Sequence, residues 1–403
     1  MIRRTISSLA VQGGLVGGPF GSSLVGSDYA ITGVPVIRGG NLNHGRFISG
    51  DFVYVSDEKF ANDLSRNSAA PGDIVYTQRG TLGQVSIVPP DLAARFVISQ
   101  SQMRLRVSTD VAVPEYVYYA STTNDFLKQV GDRAISTGVP HINLGILSQL
   151  EIPLPPLPVQ SAIAEVLGAL DDKIAANTRL AEIMDSVLTL DFLARLRRTE
   201  SREQQLGAIA NVVLGGTPSR ARADYWTDGT IPWLNSGAVN ATRIIEPSAF
   251  ITVEALQKSA AKLMPSGATL LAITGATLGQ IARLEMRASG NQSIVGVWSD
   301  DVDLNTWLYF AIQSRLETLL ARSTGAAQQH VSKGDVEQLA VPLPSQSVLA
   351  EFSSVATPLL ELAAVTEREN LALAATRDAL LPQLMSGKLR VRDAEAIAAD
   401  VGA

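Results

Sequence analysis

The 403-residue chain has no cysteine, three histidines (His44, His141, His330), 5% aromatic residues and 18% charged ones. Without cysteine there can be no disulfide framework, thiolate nucleophile, cysteine-ligated zinc finger or iron-sulfur cluster. So few histidines leave little material for imidazole acid-base chemistry or a histidine-rich metal centre. No stretch approaches the ~18 consecutive apolar residues of a spanning helix. Behind Arg3 and Arg4, the residues Ser7, Ser8 and Gln12 spoil a signal-peptide core. The expectation is a cytoplasmic protein without membrane contact, with a composition that leans away from an enzyme and with no catalytic or metal site.

What is present is ample apolar material. Hydrophobic residues make up 46% of the chain, enough to fill real cores, and at roughly 100 to 200 residues per domain the length calls for two or three compact units. The formal net charge is -6, which counts against a surface coated for nonspecific nucleic-acid binding. Its distribution is uneven. Residues 1–158 hold 12 basic and 12 acidic side chains, 159–205 hold 6 and 8, 206–344 hold 10 and 11, and 345–403 hold 5 and 8. The first and third segments are near neutral and free to carry a basic face.

The chain repeats itself. Val34-Pro35-Val36-Ile37 with Gly40 and Asn43 returns as Ile231-Pro232-Trp233-Leu234 with Gly237 and Asn240. In the same order, Thr81-Leu82-Gly83-Gln84 returns as Thr277-Leu278-Gly279-Gln280, and Gln100-Ser101 as Gln292-Ser293. His141-Ile142 then returns as His330-Val331, and Ile152-Pro153-Leu154-Pro155 as Val341-Pro342-Leu343-Pro344. Collinear order rules out chance. Each copy has short β-prone runs, such as Asp73–Tyr76, Gln84–Val88 and Thr269–Ile273, around glycine turns. Helical patterns follow at Pro114–Val130 and Leu304–Ala321.

After each proline-rich joint comes a long helical pattern, with Ser161 and Ser347 placed as N-caps. The first steps through Ile163, Leu167, Leu170, Ile174, Asn177, Ala181, Met184 and Leu188, a coiled-coil seam with one polar position. Its length of about 38 residues would extend roughly 57 Å. The second steps through Val355, Leu359, Leu362, Leu373 and Leu380. Each helix could simply pack on its own domain. The repetition favours the two pairing with each other, because neither could bury its stripe alone.

The predicted class is α+β: two tandem, repeat-related, mixed α/β target-recognition domains separated by two long helices that form an antiparallel coiled coil. The boundaries are a first domain at 1–158, a central helix at 159–205, a second domain at 206–344 and a C-terminal helix and tail at 345–403.

This organisation resembles the DNA-specificity subunit of type I restriction-modification systems over the full length of the chain. The resemblance rests on Gly215-Gly216-Thr217-Pro218-Ser219, Ile231-Pro232-Trp233, the Thr-Leu-Gly turns, the joints leading to Gln160 and Gln346, and Leu381-Pro382-Gln383-Leu384-Met385-Ser386-Gly387-Lys388-Leu389. Copy one departs from it, with Gly17-Gly18-Pro19-Phe20-Gly21-Ser22 in place of the fuller motif. The resemblance implies that each domain reads half of a split double-stranded DNA site and that the helices form a spacer docking two methyltransferase subunits. Restriction or translocase subunits would join where the system cuts DNA. S-adenosylmethionine, and ATP if a restriction subunit exists, would belong to those partners, with no cofactor in this chain.

Base edges are read by bidentate side chains, Arg on guanine and Asn or Gln on adenine. Copy one offers Arg38, Asn41, Asn43, Gln78, Arg79 and Thr81; copy two offers Asn235, Ser236, Asn240, Thr274, Gln328 and Gln329. Phosphate contacts are assigned to Arg104, Arg106, Arg220, Arg222 and Lys333. Against each stands a plainer role, since Asn, Ser and Gly favour turns for backbone reasons and single basic residues are commonly solvated surface charges. The repeat-related His141 and His330 fit a loop hydrogen bond or phosphate contact better than a metal. The alternative function is a protein-binding scaffold that holds partner chains without reading DNA.

Overall fold

The computed structural model describes residues 2–42, 45–136, 138–323 and 329–403. The chain forms two compact units, Met1–Ala175 with Asn370–Ala403 and Ala176–Glu369. Each takes one sheet-bearing part and a stretch of both long helices.

In the first unit an antiparallel sheet runs in the order Ala10–Gly17, Gln102–Val107, Ile74–Thr77, Val85–Ile87. A second sheet runs Tyr29–Ala30, Val53–Val55, Val34–Ile37, Phe96–Ile98, Ser68–Ala69, with Val36 opposite Val97 in a parallel pair. The second unit repeats the plan. One sheet there is ordered Asn211–Leu214, Ile294–Trp298, Thr269–Ala272, Ile281–Leu284, Arg243–Ile244. The other is ordered Ala249–Ile251, Ile231–Leu234, Ala288–Gly290, Leu263–Met264, with Trp233 parallel to Ser289. Strands buried on both faces read as continuous apolar runs, and Val34–Ile37, Ile74–Thr77 and Thr269–Ala272 are buried at every position.

The strands expected from sequence lie within a residue of their expected places. Asp73 falls outside its strand because its carboxylate accepts from the Ala70 amide and from Arg106. The helix expected over Pro114–Val130 is two helices, Pro114–Thr122 and Asn124–Arg133, broken by Thr123, which leaves helical geometry to cap the second through the Phe126 amide. The Leu304–Ala321 pattern likewise divides into Val302–Ser314 and Leu316–Leu320. The proline joints are edge strands, where a missing N–H is tolerated. Arg4 pairs with Ile152, and Glu203 with Pro342.

The long helices span Leu157–Arg198 and Gln346–Ser386. They start earlier than expected, so Ser161 and Ser347 are not their N-caps. Pro156 accepts from the Val159 and Gln160 amides instead, and Pro158 sits in the first turn, where its fixed φ fits and no donor is lost. The first seam is as the spacing indicates. Seven of its eight positions are buried, Ile174 is partly so, and Asn177 donates to Glu369 at 2.7 Å. The second seam is shifted. Val355 and Leu362 are exposed, whereas Leu349, Phe352, Ala356, Leu360 and Ala363 are buried.

Within the second unit the two helices run antiparallel, with Arg195 opposite Glu351, Met184 clustered with Ala363, and Asn177 opposite Glu369. Within the first, Leu167 and Leu170 share a core with Leu373, Leu380 and Leu384, and Arg377 donates to Asp171 at 2.6 Å. The second helix is long and apolar enough by composition to cross a membrane, with mean hydropathy 1.5 over its most apolar window. Its buried stripe here packs against protein, which is the ordinary behaviour of a core helix.

Candidate nucleic-acid interface

In each unit, the Gln-Ser word is a hub onto which several loops are tied. In the first, Ser99 donates its amide to Ile37, just before Arg38, at 3.0 Å, and the Ser101 carbonyl accepts from the Gln78 amide at 2.7 Å. The Gln78 carbonyl accepts from Ile142, which seats His141 beside the turn, and the Gly18 amide donates to Gln102 at 2.9 Å. The Gln100 side chain holds the Gly18–Leu24 loop through the carbonyls of Gly21 and Leu24. Arg38, Gln78, Arg79 and Thr81 are thus gathered around one hub; Arg38, Arg79 and Thr81 are exposed and Gln78 is half-buried.

The second unit builds the same hub. Asn291 donates to Leu234 at 2.9 Å, just before Asn235, and Ile273 donates to Ser293 at 2.9 Å. Thr274 bonds the Ser293 hydroxyl at 2.6 Å and bridges to His330, which puts exposed Gln329 at the same turn. Thr217 donates to the Gln292 side chain at 2.5 Å, and the Gly215 and Gly216 amides donate to Ile294 and Gly290. Asn235 is exposed and Ser236 half-buried. Both Thr-Leu-Gly turns need glycine. Gly83 and Gly279 have φ of +90° and +85°, and a Cβ there would lie 2.8 Å from Leu127 and 2.9 Å from Leu320.

The glycine pairs align differently from the sequence reading. Gly18 and Gly215 make the equivalent amide bond, and a Cβ on them would lie 2.0 Å from the Ser99 carbonyl oxygen and 2.2 Å from that of Asn291. Gly17, with nothing within 4 Å, belongs to the strand before.

Behind Gly215 the loop carries an aromatic pair. Trp226 and Trp233 meet edge to face at 5.1 Å, and their indole N–H groups bond the Ser219 and Gly216 carbonyls. The Arg220 guanidinium lies 3.6 Å from the Trp226 ring centre and, among the described residues, makes no hydrogen bond or ion pair. Stacking holds it in place while its N–H edge stays available.

Several other sequence candidates are committed elsewhere. Asn41 is buried and gives both amide hydrogens to the Ser49 and Asp51 carbonyls while accepting from the Arg38 amide, which is turn chemistry rather than a free adenine reader. Arg104 is 5% exposed, and burial holds its pKa below the usual guanidinium value. Arg106 is bidentate to Asp73 at 2.8 and 2.7 Å, a bond that raises its pKa. Both lie toward Asp73, at the end of the strand pair away from the Gln78 turn. Arg222 is held by Asp224, which raises the arginine and lowers the carboxylate. Lys333 pairs with Glu337 at 2.9 Å. Exposed Asn240 lines a shallow hollow of about 540 Å³ with Arg243 and Glu246. Asn43 and Gln328 lie outside the described residues. Among the described residues, no three potential metal-ligating side chains cluster, and His141 Nδ1 lies 3.2 Å from the Val139 carbonyl.

The sequence reading missed the anchoring role of Gln100 and Gln292 and the Trp226 platform. The repetition of the Gln-Ser word was the available signal for the first.

Comparison with known proteins agrees with this architecture. The family model described as the type I restriction modification DNA specificity domain matches twice, at residues 26–184 and 199–353. The chain is 24% identical over 376 residues to the type I restriction enzyme MjaIX specificity subunit of Methanocaldococcus jannaschii, covering 85% of both. It is 19% identical to the HindI specificity subunit of Haemophilus influenzae, covering 86% of this chain and 94% of that one. The crystal structure of the type I restriction-modification S subunit from M. genitalium superposes with a TM-score of 0.61 at 17% identity, covering 95% of each chain. The chain belongs to the type I restriction-modification DNA-specificity family, the non-catalytic subunits whose general role is DNA sequence recognition.

Proposed function

We propose that this chain reads a bipartite, asymmetric double-stranded DNA site, one half per unit, and docks two methyltransferase subunits that perform the methylation. The observation that carries this reading is a hub built twice on the same backbone bonds but bearing different side chains. Arg38 stands where the second unit has Asn235, and Gln78 and Arg79 stand where it has Ile273 and Thr274. A shared scaffold with diverged polar loops suits two different half-sites. A scaffold that holds only proteins gives no reason for that divergence.

Docking is supported by an apolar face. Leu180, Ile183, Val187 and Leu190 follow one another at helical spacing on the first long helix and are all exposed. A stripe of this kind marks a protein contact site. In this reading S-adenosylmethionine, and ATP where a restriction subunit exists, are bound by the partners, and the complex works in the cytoplasm on the host's own DNA.

The test is to co-express the chain with the neighbouring methyltransferase gene and map methylated bases across the host genome. The reading expects a split, asymmetric motif that vanishes when this chain is deleted. Methylation unchanged by the deletion would contradict it.

A further inference from the structure

We propose that Arg46 and Arg243 are positioning residues, latches that fix how each unit's recognition sheets sit on its stretch of the long helices and so set the half-site spacing the chain accepts. The inference rests on the bipartite reading above.

The two arginines leave the same edge segment of the main sheet from neighbouring register positions. Phe47 bridges Ile87 in parallel as Arg243 pairs with Arg283, and the Ile87 amide donates to Arg46 as the Arg283 amide donates to Thr242, so Arg46 matches Thr242 and Arg243 matches Phe47. Both then reach a long helix. The Arg243 side chain is 1% exposed. Its Nη1 donates to Asp185 of the first helix and to Glu367 of the second, each at 3.0 Å, and Nη2 bonds the other Asp185 oxygen. A second tie lies alongside, where Arg368 donates to the Glu285 carbonyl at 2.9 Å and Glu285 accepts from Arg283. In the first unit Arg46 Nη2 bonds Asp172. Next to Asp172, Asp171 accepts from Tyr119 and from Arg377 of the second helix, both at 2.6 Å.

Two features make stability a poor explanation for this arrangement. Glycine inside a helix costs about 1 kcal/mol relative to alanine, yet Gly168 sits in the first helix where a Cβ would come within 2.7 Å of Arg46 Nη1. The Nε atoms of both arginines are buried without a partner, and an unmet buried donor is unfavourable. Buried ion pairs of this kind contribute little net stability compared with apolar packing of equal volume. The planar Arg243 guanidinium, bidentate on Asp185 and shared with Glu367, does define an angle, and in the first unit Arg46 makes a sheet-to-helix tie from the neighbouring position.

The experiment uses the full complex with its methyltransferase subunits. Methylation is measured on DNA in which the two half-sites stand at the native spacing and at spacings one and two base pairs longer or shorter. Arg243→Met combined with Asp185→Asn and Glu367→Gln removes the charges together and leaves no carboxylate stranded. This variant is expected to keep the base preference of both half-sites while its discrimination against altered spacing falls about tenfold, within the usual range of pairwise coupling. Arg243→Lys, which retains the charge, should preserve most of that discrimination. If the triple variant fails to fold, Arg46→Met with Asp172→Asn makes the same test in the first unit. A folded variant with native spacing selectivity, or one with altered base preference, overturns the latch. A native complex that yields no split motif overturns the bipartite reading, and the spacing claim with it.

Discussion

The loop that follows the first strand of the main sheet leaves the hub in the same way in both units and ends in opposite chemistry. In the first, Gly18 leads to Phe20, which is 85% exposed. In the second, Gly215 leads to Arg220, stacked on Trp226. What is retained between the copies is backbone approach: the amide bonds, the glycines no larger residue could replace, and the glutamines that tie the loops down. What differs is the side chain presented outward. A recognition module can therefore change what it reads without rebuilding what holds it.

The comparison can be broken first at the glycines. Gly18→Ala and Gly215→Ala should each cost about 1–3 kcal/mol, as overpacked sites do, whereas Gly17→Ala should be close to neutral. Thermal unfolding of the three variants measures this, and a costly Gly17 variant beside a harmless Gly18 one would restore the alignment read from sequence. The outward side chains come next. Gln78→Ala should weaken discrimination in one half-site alone by about 1–3 kcal/mol, the usual worth of a bidentate base contact; methylation of half-site libraries would reveal any spread to the other half. Arg220→Ala should leave the motif intact and lower the slope of log affinity against log salt by about one, as loss of a phosphate contact does. Arg222→Ala, whose guanidinium already belongs to Asp224, should leave the slope as it is. Smallest is Trp226→Leu, expected to lower DNA affinity by about 0.5–1 kcal/mol through loss of the stacking that holds Arg220.

What was legible in the sequence was whatever repeats or keeps a period. The Thr-Leu-Gly turns, the Gln-Ser hubs and the first helical seam each put a local requirement into adjacent residues, and the structure places all of them in working positions. The second seam was misread because Ala356 and Ala363 fill it, and close helix contact favours small residues over the larger Val355 and Leu362 that catch the eye. Asn41 looked like a reader because its partners, the Ser49 and Asp51 carbonyls, lie in the following loop eight and ten residues on. Arg104 and Arg106 looked free because Asp73, which holds them, lies about thirty residues upstream. The Arg243 latch was invisible for the same reason, its carboxylates lying 58 and 124 residues away. Pairings at that range are set by the fold and leave no pattern in neighbouring residues.

The central claim is that one scaffold used twice reads two different half-sites. Its most direct test takes the equivalent positions Arg38 and Asn235, changes each to alanine, and maps the methylated motif of the assembled complex. The account expects Arg38→Ala to alter one half of the motif and Asn235→Ala the other, with the spacing unchanged in both. Changes in the same half from both variants, or an unaltered motif from folded proteins, would contradict it.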